Sequence, residues 1–357
     1  MKKDFIDIQD FSAEELETLI ELTGVVKRAS KERALLDLLH KRSIAMIFEE
    51  ASTRTRTSFE VAMTLLGGHG LYMRPGDIHL GRRETIADTS RVLSSMCDGI
   101  VIRALHYKDI VEMAKYSTAP VINAMSDDTN HPAQALCDAF TIFEKAGKTK
   151  GINLAFVGDG SAGSAANVCR SLMLISSKLG INFYLASPRE YQAEEEFLKQ
   201  ICMNAELSGS KIVITEEPRE AVSQADFIYT DEWAWYGVER DEVEIRFKAF
   251  MPKYQVNSEL MKAAPAHCKF MHCLPAKRGE EVTDEVIDSK QSIVFDEAEN
   301  RLYTEEALLV AFMLRETALP ATEIERRENG YAEEIGEILE KFHEMKPNKG
   351  YAKWRRS

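Results

Sequence analysis

The chain has 357 residues, 45% of them hydrophobic and 29% charged, with a formal net charge of −13. That composition suits a folded chain with core enough for about two domains, and the acidic balance excludes nucleic acid as the main partner, since phosphate backbones need a basic footprint. The start, Met1-Lys2-Lys3-Asp4-Phe5-Ile6-Asp7, has no apolar stretch of signal-peptide length, and the longest clean apolar run, Ala307 to Leu314, is far shorter than a membrane span. A cytoplasmic protein without membrane contact is expected.

In chain order, short apolar runs predict strands at Ser43–Phe48, Gly99–Arg103, Pro120–Asn123, Asn153–Gly158, Asn182–Ala186, Lys211–Thr215, Asp226–Thr230, Lys269–Cys273 and Ser292–Phe295. Helical periodicity lies between them, at Thr57–Leu66, Glu84–Met96, Gln134–Lys145 and Ala165–Leu179. This alternation means an α/β fold: two α/β domains, each a parallel sheet flanked by helices, facing each other across a cleft of the kind that holds small molecules. The polar turn Lys145-Ala146-Gly147-Lys148-Thr149-Lys150-Gly151 marks the junction, giving domains over 1–145 and 151–301. Beyond Pro320 an extension over 320–357 carries Tyr331, Ile335, Ile338, Leu339, Phe342 and Met345 at the spacing of one apolar helix stripe. That stripe suits packing on its own subunit and docking on a neighbour equally.

Four clusters carry chemistry. Ser52-Thr53-Arg54-Thr55-Arg56 lies between a strand end and a helix start, where hydroxyls, backbone N–H groups and guanidinium forks hold phosphate; capped solvated arginines are the bland alternative. His131-Pro132-Ala133-Gln134 offers two groups able to donate to a carbonyl or amide, and Arg103 ends a strand, at the sheet edge where open α/β folds place ligands. His272-Cys273-Leu274-Pro275 ends another strand, and Asp296-Glu297-Ala298-Glu299-Asn300-Arg301 brings a further arginine. The six scattered cysteines fit a reducing compartment. His267-Cys268 and His272-Cys273 resemble paired metal ligands, but the intervening Lys269-Phe270-Met271 reads as a buried strand, so no metal is expected.

The STRTR, HPxQ, HCLP and ENR motifs, in this order, resemble those of the aspartate and ornithine carbamoyltransferase superfamily, over nearly the whole chain. The resemblance implies transfer of a carbamoyl group from carbamoyl phosphate to an amine, with no cofactor. It further implies that Ser52, Thr53, Arg54 and Thr55 form the phosphate loop, and that Arg103, His131 and Gln134 bind the carbamoyl group. Cys273, Leu274 and Arg301 would then close over the anhydride. Arg54, Arg103, His131 and Cys273 would act in catalysis. His79 would be donated to a neighbouring subunit's site in a homotrimer with shared active sites, and a helix over 302–319 would complete the first domain.

The amine is set elsewhere. Asn167 resembles a residue that ornithine enzymes use on the amino-acid end, whereas Trp235-Tyr236-Gly237, Gly67-Gly68-His69-Gly70, Pro252-Lys253-Tyr254-Gln255-Val256-Asn257 and the helical tail resemble putrescine carbamoyltransferases. Trp235 and Tyr236 could line a tetramethylene chain and attract a distal ammonium, with Asp231 paired to it; loop-packing aromatics are the alternative. The substrate is therefore expected to be putrescine, in a setting of agmatine breakdown, or else ornithine. Two rivals come from other classes. Gly158-Asp159-Gly160-Ser161-Ala162-Gly163 matches a dinucleotide fingerprint, but the next strand ends in Ser187-Pro188-Arg189 rather than an acid, leaving only an NADP-dependent dehydrogenase. The other is a family member that has lost catalysis, against which the complete motif set argues.

Overall fold

The computed structural model describes residues 4–34, 37–78, 80, 83–163, 165–234, 240–314 and 330–345. The chain divides into two compact units, Met1–Phe140 with Asn300–Ser357, and Thr141–Glu299. The division falls within the helix Pro132–Ala146, a few residues before the polar turn at Lys145–Gly151.

In the first unit, β1 (Ser43–Phe48), β2 (His69–Met73), β3 (Gly99–Ala104) and β4 (Val121–Ser126) form a wholly parallel sheet in the order β2-β1-β3-β4. The inner strands are apolar on both faces, Ser-Ile-Ala-Met-Ile-Phe in β1 and Gly-Ile-Val-Ile-Arg-Ala in β3, as a sheet covered by helices on both sides requires. Ala45, Ile47, Ile100, Ile102 and Val121 pack with Ile110 and Met113 of the helix Tyr107–Tyr116. In the second unit, β5 (Asn153–Val157), β6 (Asn182–Ala186), β7 (Ile212–Thr215), β8 (Phe227–Tyr229) and β9 (Lys269–Met271) form a second parallel sheet, ordered β7-β6-β5-β8-β9. Its core gathers Ala155, Val157, Ile228 and Phe270 with Trp233, Phe250 and Val256. The expected fold class, two α/β domains with parallel sheets and a C-terminal helix, is the observed one.

Three local expectations need correction. Ser292–Phe295 is no strand: Ser292 makes an isolated bridge to Phe270, and the helix Val294–Met313 begins at once. β2 escaped the sequence reading because it is a half-exposed edge strand starting His69-Gly70. The helix expected from Thr57 begins at Thr53, with Ser52 as its N-cap; its first turn is polar and so has no apolar period to read.

The tail helix, Tyr331–Glu344, buries Ile335, Ile338, Leu339 and Phe342 within its own chain. Phe342 meets Phe312 edge-on at 5.8 Å, and Arg28 of the N-terminal helix Ala13–Lys31 pairs with Glu334 at 2.8 Å. Of the helix expected over 302–319, the part to Met313 belongs to the helix Val294–Met313; residues 315–319 lie outside the described residues.

Candidate active site

The first unit gathers cationic side chains around the start of the helix Thr53–Leu65. A helix N-terminus carries roughly half a positive charge and free N–H groups, so acids belong there and arginines are unfavourable. This helix has no acid in its first turn and carries Arg54 and Arg56 instead, a local conflict that a bound anion would resolve. The two arginines differ. Arg56 lies 3.6 Å over the ring of Tyr72 and pairs with Glu60 at 3.3 Å, so it serves β2 and its own helix. Arg54 is half-buried, and its charge acts on His131.

Around that helix start stand Arg103, His131, Gln134 and Arg301, all buried. Arg103, near the carboxyl end of β3, donates to the carbonyl of Ala51 at 3.2 Å and to Asp127 Oδ1 at 3.3 Å. Burial pushes the Asp127 carboxyl up to about 6 even though Arg103 opposes the rise. Arg301, from the helix Val294–Met313, donates through Nη1 to Gln134 Oε1 at 2.5 Å and through Nη2 to Thr55 Oγ1 at 3.1 Å. Its Nε donates to Glu305 Oε1 at 3.1 Å, one turn on. Gln134 in turn donates to Asp138 at 2.7 Å. His131 is held well below its ordinary pKa, by burial first and then by the charges of Arg301, Arg103 and Arg54. Three guanidinium groups thus act on one neutral imidazole. A neutral ring can donate one hydrogen bond without adding a fourth cation.

The second unit gathers the remaining described residues. Asp231 follows β8 and Cys273 follows β9, two neighbouring strands, and the Cys273 thiol donates to Asp231 Oδ1 at 3.2 Å. Burial raises the Asp231 carboxyl, with His272 opposing. His272 orders the motif from within. Its Nδ1 accepts the N–H of Leu274 at 2.9 Å, so the proton sits on Nε2 and is given to Glu281 at 3.2 Å. Leu274 has φ 56, a left-handed conformation costly for a branched residue, and the His272 bond holds it there. Asn167 is buried at the first position of the helix Asn167–Leu179. The ligating atoms of Asp231, His272 and Cys273 lie within 4.8 Å of one another, so these three could hold a metal. Both His272 nitrogens are already engaged, and an ion would have to displace Leu274 N–H or Glu281.

The structure therefore brings Ser52, Thr53, Arg54, Thr55, Arg103, His131, Gln134 and Arg301 together in one unit. It places Asp231, Cys273 and Leu274 at neighbouring strand ends in the other, with Asn167. His79, Trp235 and Tyr236 lie outside the described residues. The Gly158–Gly163 loop does not lead straight into a helix, which starts only at Asn167, and Asp159 is taken up by hydrogen bonds from Ser161 N and Oγ at 2.8 and 2.6 Å.

Two family descriptions match the chain, one after the other. Residues 3–144 match the carbamoyl-P binding domain of aspartate/ornithine carbamoyltransferase, and residues 150–312 match its Asp/Orn binding domain. A putrescine carbamoyltransferase of Mycoplasma capricolum is 48% identical over 319 residues, covering 87% of this chain and 86% of the relative. An ornithine carbamoyltransferase of Thermococcus kodakarensis is also 48% identical, over 311 residues, 87% of this chain and 96% of that one. Among solved structures, the ornithine carbamoyltransferase of Pyrococcus furiosus superposes with a TM-score of 0.82 at 47% identity, covering 89% of this chain and 98% of its own. Two domains matched in order, relatives near half identity and a shared fold give one conclusion: the chain belongs to the aspartate/ornithine carbamoyltransferase family.

Proposed function

We propose that this carbamoyltransferase carries the reaction carbamoyl phosphate + putrescine = N-carbamoylputrescine + phosphate. The observation that carries the first half is the convergence of Arg54, Arg103 and Arg301 on a neutral His131 beside the helix start at Thr53. In this reading Ser52, Thr53, Arg54 and Thr55 hold the phosphate, with Arg301 completing the cage. Arg103, His131 and Gln134 take the carbamoyl group. An uncharged amine attacks the carbonyl carbon, an oxyanion develops, and the bond to phosphate breaks. Preorganised donors where that charge appears contribute ~3–4 kcal/mol each.

Asp231 and Asn167 hold the amine, with Cys273 and Leu274 closing over the anhydride. Deprotonating an amine of pKa ~10.4 at pH 7 costs roughly 4–5 kcal/mol, so the rate should depend on pH, while Asp231 pairs with the distal ammonium. Putrescine is favoured by the Mycoplasma relatives and by Trp235-Tyr236-Gly237, with Trp235 and Tyr236 as the aromatic walls. Ornithine is the second reading, favoured by Asn167 and by the archaeal relatives named for it. We also place the protein in the cytoplasm, in agmatine breakdown; among the described residues no helix is long and apolar enough to cross a membrane.

Phosphate release from carbamoyl phosphate, measured with putrescine, agmatine, ornithine and diaminopropane, tests the reading. Putrescine is expected to give the highest kcat/KM, with a rate that climbs into the alkaline range. Preference for ornithine would overturn the substrate, and no release with any amine would overturn catalysis itself. A flat profile between about pH 6 and 9 would remove the amine-deprotonation step.

A further inference from the structure

The second unit contains a buried ion pair between Asp159 of the Gly158–Gly163 loop and Arg246, a residue in none of the four clusters. Asp159 directly follows Gly158 at the end of β5, and Arg246 lies on the helix Arg240–Phe250; their side chains are only 1% and 9% exposed. Arg246 Nη1 donates both to Asp159 Oδ2 and, at 3.2 Å, to the carbonyl of Trp233. Nε donates to Glu242 at 3.1 Å, and the guanidinium faces the ring of Tyr191 at 4.9 Å. The other oxygen of Asp159 accepts the N–H and hydroxyl of Ser161. One arginine therefore fastens the turn after β5 to the segment after β8.

Other contacts close the same gap. Thr230 Oγ1 donates to the carbonyl of Val157 at 2.6 Å. The indole of Trp233 stacks on Phe250 at 5.3 Å and 13°, on the same helix as Arg246. Gly158 has φ 154, and a Cβ there would come within 3.9 Å of the Trp233 indole nitrogen and 3.7 Å of Thr230 Oγ1. Asn167 follows Asp159 by eight positions, and Asp231 lies two positions before Trp233. Cys169, two residues past Asn167, lies close enough to both Asp159 and Asp231 for each to raise its thiol further, beyond the larger effect of burial.

A buried ion pair is a poor source of net stability, because desolvation consumes most of the attraction; its attested use is to fix one arrangement among several. We propose that the Arg246–Asp159 pair is a positioning device for amine binding: it sets the spacing of Asn167 and Asp231 by locking the turn after β5 to the Trp233 carbonyl. This rests on the reading that Asn167 and Asp231 hold the amine. Neither Arg246 nor Asp159 touches substrate in this account.

Arg246→Met, Arg246→Lys, Asp159→Asn and the double variant Asp159→Asn/Arg246→Met test it, with steady-state kinetics on putrescine, ornithine and carbamoyl phosphate. Each non-conservative single variant is expected to raise the amine KM by about 10- to 100-fold and to leave the KM for carbamoyl phosphate within about two-fold. The double variant should be no worse than the worse single one, the non-additivity expected of one shared interaction. Arg246→Lys should recover part of the loss. An amine KM unchanged in variants with parental thermal unfolding overturns the proposal, as does a parallel rise in both KM values. Asp231→Asn and Asn167→Ala serve as the reference. If they raise the amine KM and the Arg246 variants do not, the positioning pair alone fails; if they too leave it unchanged, the amine site itself has been misplaced.

Discussion

Arg54 and Arg56 sit two positions apart, share a helix turn and face different tasks, a difference no motif states. Arg56 is spoken for by Tyr72 and Glu60, whereas Arg54 joins Arg103 and Arg301 around His131. Arg54→Ala is therefore expected to cut kcat by about 10²–10³-fold, read as phosphate release at saturating substrates, while Arg56→Ala should cost activity mainly by loosening β2 and so lower the unfolding midpoint. Equal kinetic losses in the two variants would contradict the assignment of Arg54 to the phosphate. The motif residues themselves were legible because a phosphate site needs a few residue types at a strand end. His272 and Arg246 were not. A histidine in HCLP reads as a site residue or a turn residue with equal ease, and the Arg246–Asp159 contact spans 87 positions with no periodicity to betray it.

The helix Val294–Met313 binds two kinds of chemistry into one element. Arg301 reaches Gln134 and Thr55, while Glu306, fully buried, accepts from Ser30 Oγ at 3.3 Å. Burial pushes Glu306 up to about 8, against the small opposing effect of that hydroxyl. Its pKa is thus higher folded than unfolded, so its contribution to stability is fully present below about 4.3, the unfolded value, and is lost as pH rises toward about 8. Glu306→Gln keeps the shape without the charge. It is expected to match the parent near pH 4 and to be the more stable by about 3–5 kcal/mol at pH 9 in urea unfolding; a gap that does not grow with pH would show that the carboxyl reaches water. Elements as a class were well marked wherever an apolar run stood between turns, as in β1, β3 and β6. They failed where the pattern was one-sided: β2 is an edge, and Ser292–Phe295 spends its apolar residues on the start of a helix.

At the scale of the molecule, the first unit presents apolar side chains that its own fold leaves uncovered. Val61 and Leu65 of the helix Thr53–Leu65, Leu71 of the edge strand β2, and Val92 and Met96 of the helix Ile86–Met96 are all exposed, Met96 to 75%. An open strand edge and exposed apolar groups favour burial against another chain, and we propose on that basis the homotrimer, sharing its sites through His79, that the family resemblance implies. Light scattering is expected to give the mass of three chains, and a fully active single chain would overturn the sharing. The tail stripe suits two partners equally, and Ile335, Ile338, Leu339 and Phe342 are buried within their own chain; a stripe in sequence does not say what covers it.

One consequence concerns how the protein is made. The first unit is written in two pieces, with Thr141–Glu299 between them, and Arg301 reaches Gln134 across 167 positions. At a synthesis rate of ~5–20 residues per second, Gln134 leaves the peptidyl-transferase centre roughly 10–30 s before the arginine that will grip it. The intervening stretch, contiguous and with its own sheet, has the chance to fold during that wait. A nascent chain released before Asn300 would thus hold Asn167, Asp231 and Cys273 of the second unit and lack Arg301, the last cation of the cage we propose for the phosphate.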